Sequence, residues 1–193
     1  MRDYRHIDRY LDKLVDEIYQ EPASHHHVQA AINVVQNFCS DLQFESVVEL
    51  GCGTAPILNE MKKYGKITLG ITLGKEKMDH PLIEADMNFS GLETYSYDLV
   101  VTRHALEHSP MPLLLLMEME RISKKYALII VPVPSERMIR WPNHYSVFPR
   151  ENWGYLFDIA GWKINKFNEE KLFCYDHEKK LWDWEYQYLL EKR

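Results

Sequence analysis

The stretch Val47-Val48-Glu49-Leu50-Gly51-Cys52-Gly53-Thr54-Ala55 joins an apolar run to two glycines, and a helical pattern follows. A buried strand that ends in glycines before a helix can turn tightly and bring backbone N–H groups close to a ligand. The helix N-terminus then adds positive charge at the same place. Two glycines alone are common in strand–helix turns for steric reasons. Glu49, two positions before Gly51, adds chemical information, because a carboxylate there repels a pyrophosphate but suits a cationic amine or free hydroxyls. The missing G-x-G-x-x-G spacing also argues against a nicotinamide dinucleotide site.

On the N-terminal side of this turn the sequence is helical. Ile7, Tyr10, Leu11, Leu14, Val15 and Ile18 recur at helix spacing up to Pro22. Ser24 is placed to cap a second helix striped by Val28, Ala31, Ile32, Val35 and Phe38. From Ser46 onward short apolar runs alternate with helical stretches, the pattern of a parallel sheet built from βαβ units. Strands are expected at Ser46–Leu50, Ile67–Thr72, Leu82–Glu84, Tyr97–Val101 and Tyr126–Val131, where Val, Ile and Leu run nearly unbroken. Helices are expected at Ala55–Tyr64, Lys75–Asp79, Pro112–Ser123 and Arg150–Ala160, the last ended by Gly161. Trp162–Asn168 and Trp184–Leu190 then read as a hairpin pair closing the sheet. The prediction is an α/β chain folded as one domain over residues 1–193, with residues 1–41 a helical lid and 42–193 the core.

Composition narrows the classes. The 193 residues are 46% apolar and 27% charged with eight Gly and nine Pro, which excludes disorder and collagen-like repeats. A net charge of −6 disfavours nucleic acid as the main partner, since neutralising phosphates needs a Lys and Arg surplus. Cys39, Cys52 and Cys174 form no CxxC, which points to a reducing compartment. Met1 is not followed by a signal-peptide pattern, and no apolar run approaches the roughly 20 residues of a membrane span. The expectation is a cytoplasmic protein with no membrane partner.

Glu49-Leu50-Gly51-Cys52-Gly53-Thr54 resembles motif I of the class I, Rossmann-like S-adenosylmethionine-dependent methyltransferases, and the chain is similar to their type 11 group. That motif runs E/D-x-G-x-G-x-G, and Ala55 stands at its third glycine, a mild departure because Ala still packs closely at a helix start. Gly70-Ile71-Thr72-Leu73-Gly74 matches the segment that faces the ribose, with Thr72 where the family has an acid. A similar stretch occurs in the cyclopropane fatty acid synthase group. Ala85-Asp86-Met87 matches the segment whose Asp accepts from the adenine amino group. Tyr97-Asp98-Leu99-Val100-Val101-Thr102-Arg103-His104-Ala105-Leu106-Glu107-His108 matches the fourth strand and its loop, and the resemblance covers about residues 40–170 in order. It implies a three-layer αβα sandwich around a seven-stranded, mostly parallel sheet whose last strand is antiparallel. It also implies an enzyme with S-adenosylmethionine as cofactor, held by Glu49, Gly51, Cys52, Gly53, Thr72, Leu73, Asp86, Met87 and Thr102.

Methyl transfer asks the protein for orientation, desolvation and sometimes a base. Beyond strands four and five stand Arg103, His104, His108 and the loop Pro134–His144. His108 or His144 is the expected base, because neutral His accepts protons near pH 7, and Arg103 is expected to place an anionic or hydroxyl-rich acceptor. N/D-P-P-Y and a Lys-Asp-Lys-Glu pattern are both missing, which with the acidic balance favours a small-molecule or saccharide acceptor and an oxygen atom. His104-Ala105-Leu106-Glu107-His108 matches H-x-x-E-H, a zinc pattern, but follows a strand rather than lying inside a long helix, so no metal is expected. His25, His26 and His27 point in different directions on a helix and read as a solvated face. The alternative to an enzyme is a degenerate, non-catalytic binding subunit, since Ala55 and Thr72 depart from the cofactor pattern. So short a chain leaves only the N-terminal helices and Pro132–Pro149 to build acceptor selectivity, with a homodimer as one way to complete the pocket.

Overall fold

A computed structural model describes residues 25–73, 81–176, 178 and 180–193. The first predicted helix, the Ser24 cap, Gly74 and the helix over Lys75–Asp79 lie outside the described residues.

The elements run in the predicted order. Helix α1 spans His25–Cys39, β1 Ser46–Leu50, α2 Pro56–Lys63, β2 Ile67–Thr72, β3 Leu82–Glu84 and β4 Tyr97–Arg103. Then come α3 at Pro112–Ile122, β5 at Ser123–Pro132, α4 at Glu136–Arg140, α5 at Arg150–Ile159, β6 at Trp162–Asp176 and β7 at Leu181–Lys192. Single 3-10 turns follow β3 at Met87–Phe89 and β4 at Leu106–His108. The seven strands form one sheet in the order β3-β2-β1-β4-β5-β7-β6. β7 alone runs against the others, pairing antiparallel with both β5 and β6. β1 lies between β2 and β4, and the strand order reverses there; in open α/β sheets ligands bind outside the C-terminal strand ends at such a point.

Alternation along the strands divides the core into two layers. Val47, Leu99, Val101, Leu128 and Ile130 face α1 and α2, packing with Ala31, Val35, Phe38, Ile57 and Leu58. Val48, Val100, Ala127 and Ile129 face α3 and α5, packing with Leu116, Met119, Trp153 and Phe157. Both faces are covered, which is why these strands lack polar alternation. Asp98 ties the lower edge together. Its carboxylate accepts from the amides of Glu45 and Ser46 at 3.0 and 2.9 Å and from Lys124 Nζ at 2.9 Å.

Several boundaries differ from the sequence expectation: β5 starts at Ser123 rather than Tyr126, and α4 forms within the expected loop Pro134–His144. β4 runs on to Arg103, because Thr102 and Arg103 still pair with Ile129 and Ile130 of β5. The closing hairpin is much longer than expected. Its charged stretch Asn168–Lys171 hides the strand pattern, yet β6 is the edge of the sheet, where charged side chains are tolerated and discourage pairing with other chains.

Candidate active site

The glycine turn is built by backbone geometry. The amides of Gly51 and Cys52 both donate to the Ile71 carbonyl, at 2.9 and 3.0 Å, which pins the turn to the end of β2. Gly51 has a φ of +74°, and a Cβ there would lie 2.4 Å from Ala105 Cβ, so no other residue fits. A Cβ on Gly53, at φ +48°, would meet nothing within 4 Å, so the peptide faces open space. Ala55 adopts φ +54°, the left-handed conformation a third glycine would take without strain. Its departure from the motif therefore bears on backbone conformation as well as packing. The Cys52 thiol is buried under the turn, where Gly70 makes room for it: a Cβ on Gly70 would sit 2.6 Å from Cys52 Sγ. The Cys52 amide is spent on Ile71 and the Cys52 carbonyl accepts from the Ala55 amide at 2.7 Å, so Cys52 shapes the turn.

Glu49 is fully buried at the end of β1. Its carboxylate accepts from the Leu58 amide in the first turn of α2, and Oε2 has no protein partner. Burial pushes the Glu49 carboxyl up to about 8, although the Arg103 charge and the Leu58 hydrogen bond pull it down. At the end of β4, one residue beyond Val101, the register partner of Glu49, Thr102 is completely buried and its hydroxyl also lacks a protein partner. Thr72 is buried and Leu73 half-buried at the end of β2. Asp86 caps the 3-10 turn, its Oδ1 accepting from the Asn88 amide at 2.9 Å and from Asn88 Nδ2 at 2.8 Å. Met87 walls the glycine turn, with Sδ 3.3 Å from where a Gly51 Cβ would stand. The expected cofactor residues therefore stand at the C-terminal ends of β1, β2, β3 and β4. Buried polar atoms without partners are costly, and two of them, Glu49 Oε2 and Thr102 Oγ1, lie at the ends of the two strands that flank the switch point.

A cleft of ≈ 200 Å³ lies between the turn after β4, helix α4 and the hairpin, and His104, His108, Arg137, Trp141, His144 and Trp184 border it. His104 has a φ of +48° and bridges two buried acids, with Nδ1 3.3 Å from Glu107 Oε1 and Nε2 2.8 Å from Glu185 Oε2. Burial alone would lower His104, but these two carboxylates raise it to about 9 and keep the ring charged. Glu107 and Glu185 are held below the ordinary carboxylate range despite their burial, chiefly by the hydrogen bonds from His104. His108 Nδ1 donates to the Asn143 carbonyl at 3.0 Å, and His144 Nδ1 donates to the Met138 carbonyl at 2.8 Å. The two rings meet edge to face at 4.9 Å. Burial lowers the His144 pKa, so that ring is neutral at pH 7.

Arg103 differs from its expected place. It is buried beneath this cleft, with Nη2 3.6 Å from Glu185 Oε2, and does not border it. Its charge serves the buried acids Glu49 and Glu185. The arginine that borders the cleft is Arg137, ion-paired with Asp183 and stacked 4.7 Å from the Trp141 ring. The sequence reading placed the segment that carries Arg137 and Trp141 around the acceptor without naming either residue, and it missed Asp183, Trp184 and Glu185. A signal existed for the acids: Asp183, Glu185 and Gln187 alternate along a strand flanked by aromatics, and polar groups on a non-edge strand must be buried and paired.

The profile of the family described as "Methyltransferase domain" matches residues 5–172. Among proteins of curated function, none matches the chain by sequence. Solved structures with the same fold include a SAM-dependent methyltransferase from Archaeoglobus fulgidus, 15% identical with a TM-score of 0.69 over 98% of this chain and 100% of that one. Magnesium protoporphyrin IX methyltransferase from Synechocystis PCC 6803, solved with bound SAM, is 12% identical with a TM-score of 0.66 over 100% and 99% of the two chains. The 1,6-didemethyltoxoflavin-N1-methyltransferase from Burkholderia thailandensis, solved with its substrate and S-adenosylhomocysteine, is 11% identical with a TM-score of 0.65 over 97% and 85%.

Proposed function

The chain belongs to the methyltransferase-domain family, and from that premise we propose that it transfers the methyl group of S-adenosylmethionine to an oxygen of a small hydroxylated molecule or saccharide. The observation that carries the reading is the pairing of two features at one sheet end. One is the C-terminal end of β1 and β4, where Glu49 Oε2 and Thr102 Oγ1 lack protein partners and the Gly53 turn is open. The other is the adjoining histidine-lined cleft.

The residues present fit the cofactor. The unobstructed Gly53 backbone, the orphaned Glu49 and Thr102 oxygens and the Met87 wall suit a ligand rich in hydroxyl and amino donors with one flat apolar ring. Glu49, Gly51, Cys52, Gly53, Thr72, Leu73, Asp86, Met87 and Thr102 would hold it, Cys52 by fixing the turn. When bound, S-adenosylmethionine supplies a methyl carbon whose bond to sulfur breaks, the electron pair staying on sulfur, as the acceptor oxygen bonds to that carbon.

The chain's own part is orientation and proton removal. With Nδ1–H committed to a main-chain carbonyl, Nε2 is the ring nitrogen of both His108 and His144 left to carry a lone pair. Either Nε2 takes the hydroxyl proton as the new O–C bond forms. Trp141 and Trp184 give the acceptor an apolar surface, and Arg137 draws in hydroxyl or anionic groups. Release of S-adenosylhomocysteine against a panel of hydroxylated small molecules and sugars tests the reading. His108→Ala and His144→Ala should lower turnover about 100-fold, while the affinity for S-adenosylmethionine stays within about twofold. Wild-type turnover in both variants would refute the base assignment.

A further inference from the structure

Glu107, His108 and His144 each bring one ligand-type atom, and these three atoms lie within 4.8 Å of one another. The cluster is held from outside. His108 and His144 both donate Nδ1–H to main-chain carbonyls, of Asn143 and Met138, which directs the lone pair of each ring to Nε2. Metal-ligating imidazoles are oriented in this way, by a second N–H bond to a carbonyl or carboxylate. Glu107 Oε1 is held by His104, and Glu107 Oε2 is buried without a protein partner. The Glu107 carbonyl accepts from the amides of Tyr145 and Ser146 at 2.8 and 3.0 Å, which locks the loop carrying His144 to the turn carrying the other two residues.

We propose that Glu107, His108 and His144 bind a divalent first-row transition-metal ion at the wall of the acceptor cleft. Two imidazoles and one carboxylate are the donor set for ions of that hardness. His108 and His144 are only half-buried, which leaves the side toward the cleft for an exogenous oxygen. The H-x-x-E-H pattern points to the wrong pair of histidines. His104 is committed to Glu107 and Glu185, and the second imidazole comes from His144 on a separate loop. The proposal rests on the reading of this cleft as the acceptor site and changes how the acceptor is activated there. A hydroxyl oxygen drawn to the ion ionises more readily and gives its proton to solvent, and the two Nε2 atoms then act as ligands instead of bases.

The test is a Co²⁺ titration of the full chain after chelator treatment, followed by calorimetry and visible absorption, without any methyl donor. Wild type should bind one equivalent with ligand-field bands. His144→Ala and His108→Ala should each weaken binding at least tenfold, with circular dichroism confirming that they fold, and Glu107→Gln should do the same. A His25→Gln, His26→Gln, His27→Gln triple variant should bind as wild type. No saturable Co²⁺ binding would overturn the proposal, as would binding lost in the triple variant but kept in both cleft variants. A parallel titration with S-adenosylmethionine in the presence of chelator separates the two readings. Cofactor binding there without Co²⁺ binding leaves the methyltransferase reading standing and removes the metal.

Discussion

Glu49 carries both the sequence signal and an electrostatic cost. Its spacing before Gly51 made it legible in the sequence, but its burial and its bond to the Leu58 amide come from the packing of α2 over β1. With its pKa raised to about 8 in the folded chain, the carboxyl binds a proton that the unfolded chain releases near 4.5. Its contribution to stability is therefore fully present below about pH 4.5 and is lost as pH rises toward 8. Glu49→Gln, a shape-conserving stand-in for the protonated form, should escape that loss. Urea unfolding at pH 5 and pH 8 should show the variant gaining on wild type by on the order of a few kcal/mol. Arg137 and Trp184 carried no comparable sequence signal. A single Arg in a short helix or a Trp in a hairpin acquires its place only when distant elements meet, as Arg137 does with Asp183. Arg103 illustrates the converse, since its position after β4 was legible but its inward direction was not.

At the scale of elements, the parallel strands were legible because burial on both faces demands unbroken apolar runs, as in Leu99–Val101. The hairpin strands were only partly legible, because edge exposure permits charges that mask a strand. β7 also holds a buried Tyr188 hydroxyl without a protein partner, beneath Phe157 and Phe167 at 4.9 and 5.0 Å. Tyr188→Phe should keep the ring packing and raise stability by about 1 kcal/mol, read as an upward shift of the denaturant midpoint. The β1–β4 tie gives a second expectation. Burial would raise Asp98, but its hydrogen bonds to Lys124, Ser46 and the Glu45 amide outweigh that and hold it well below its ordinary value. That stability is present above about pH 4 and is lost as the pH falls toward the folded-state pKa. Asp98→Asn should cost about 1–3 kcal/mol at pH 7, with the gap from wild type closing in acid unfolding below about pH 4.

For the whole molecule, the seven-stranded sheet and its covering helices consume most of the 193 residues. What stands over the acceptor cleft comes from Pro132–Pro149 and from the far end of the hairpin. The first of these was legible as chain left over once the core was counted. The second was not, because it depends on how far β6 and β7 extend beyond β5. In the proposed reading, acceptor selectivity therefore belongs to these segments and cofactor binding to the turns after β1, β2 and β3. The central claim is that the sheet end at Glu49 and Gly53 holds S-adenosylmethionine, and calorimetric titration of the full chain with that molecule tests it most directly. The account predicts saturable one-to-one binding below millimolar concentration, lost in Glu49→Ala. No heat of binding at millimolar cofactor, with the chain shown to be folded, would contradict it and favour a non-catalytic binding role.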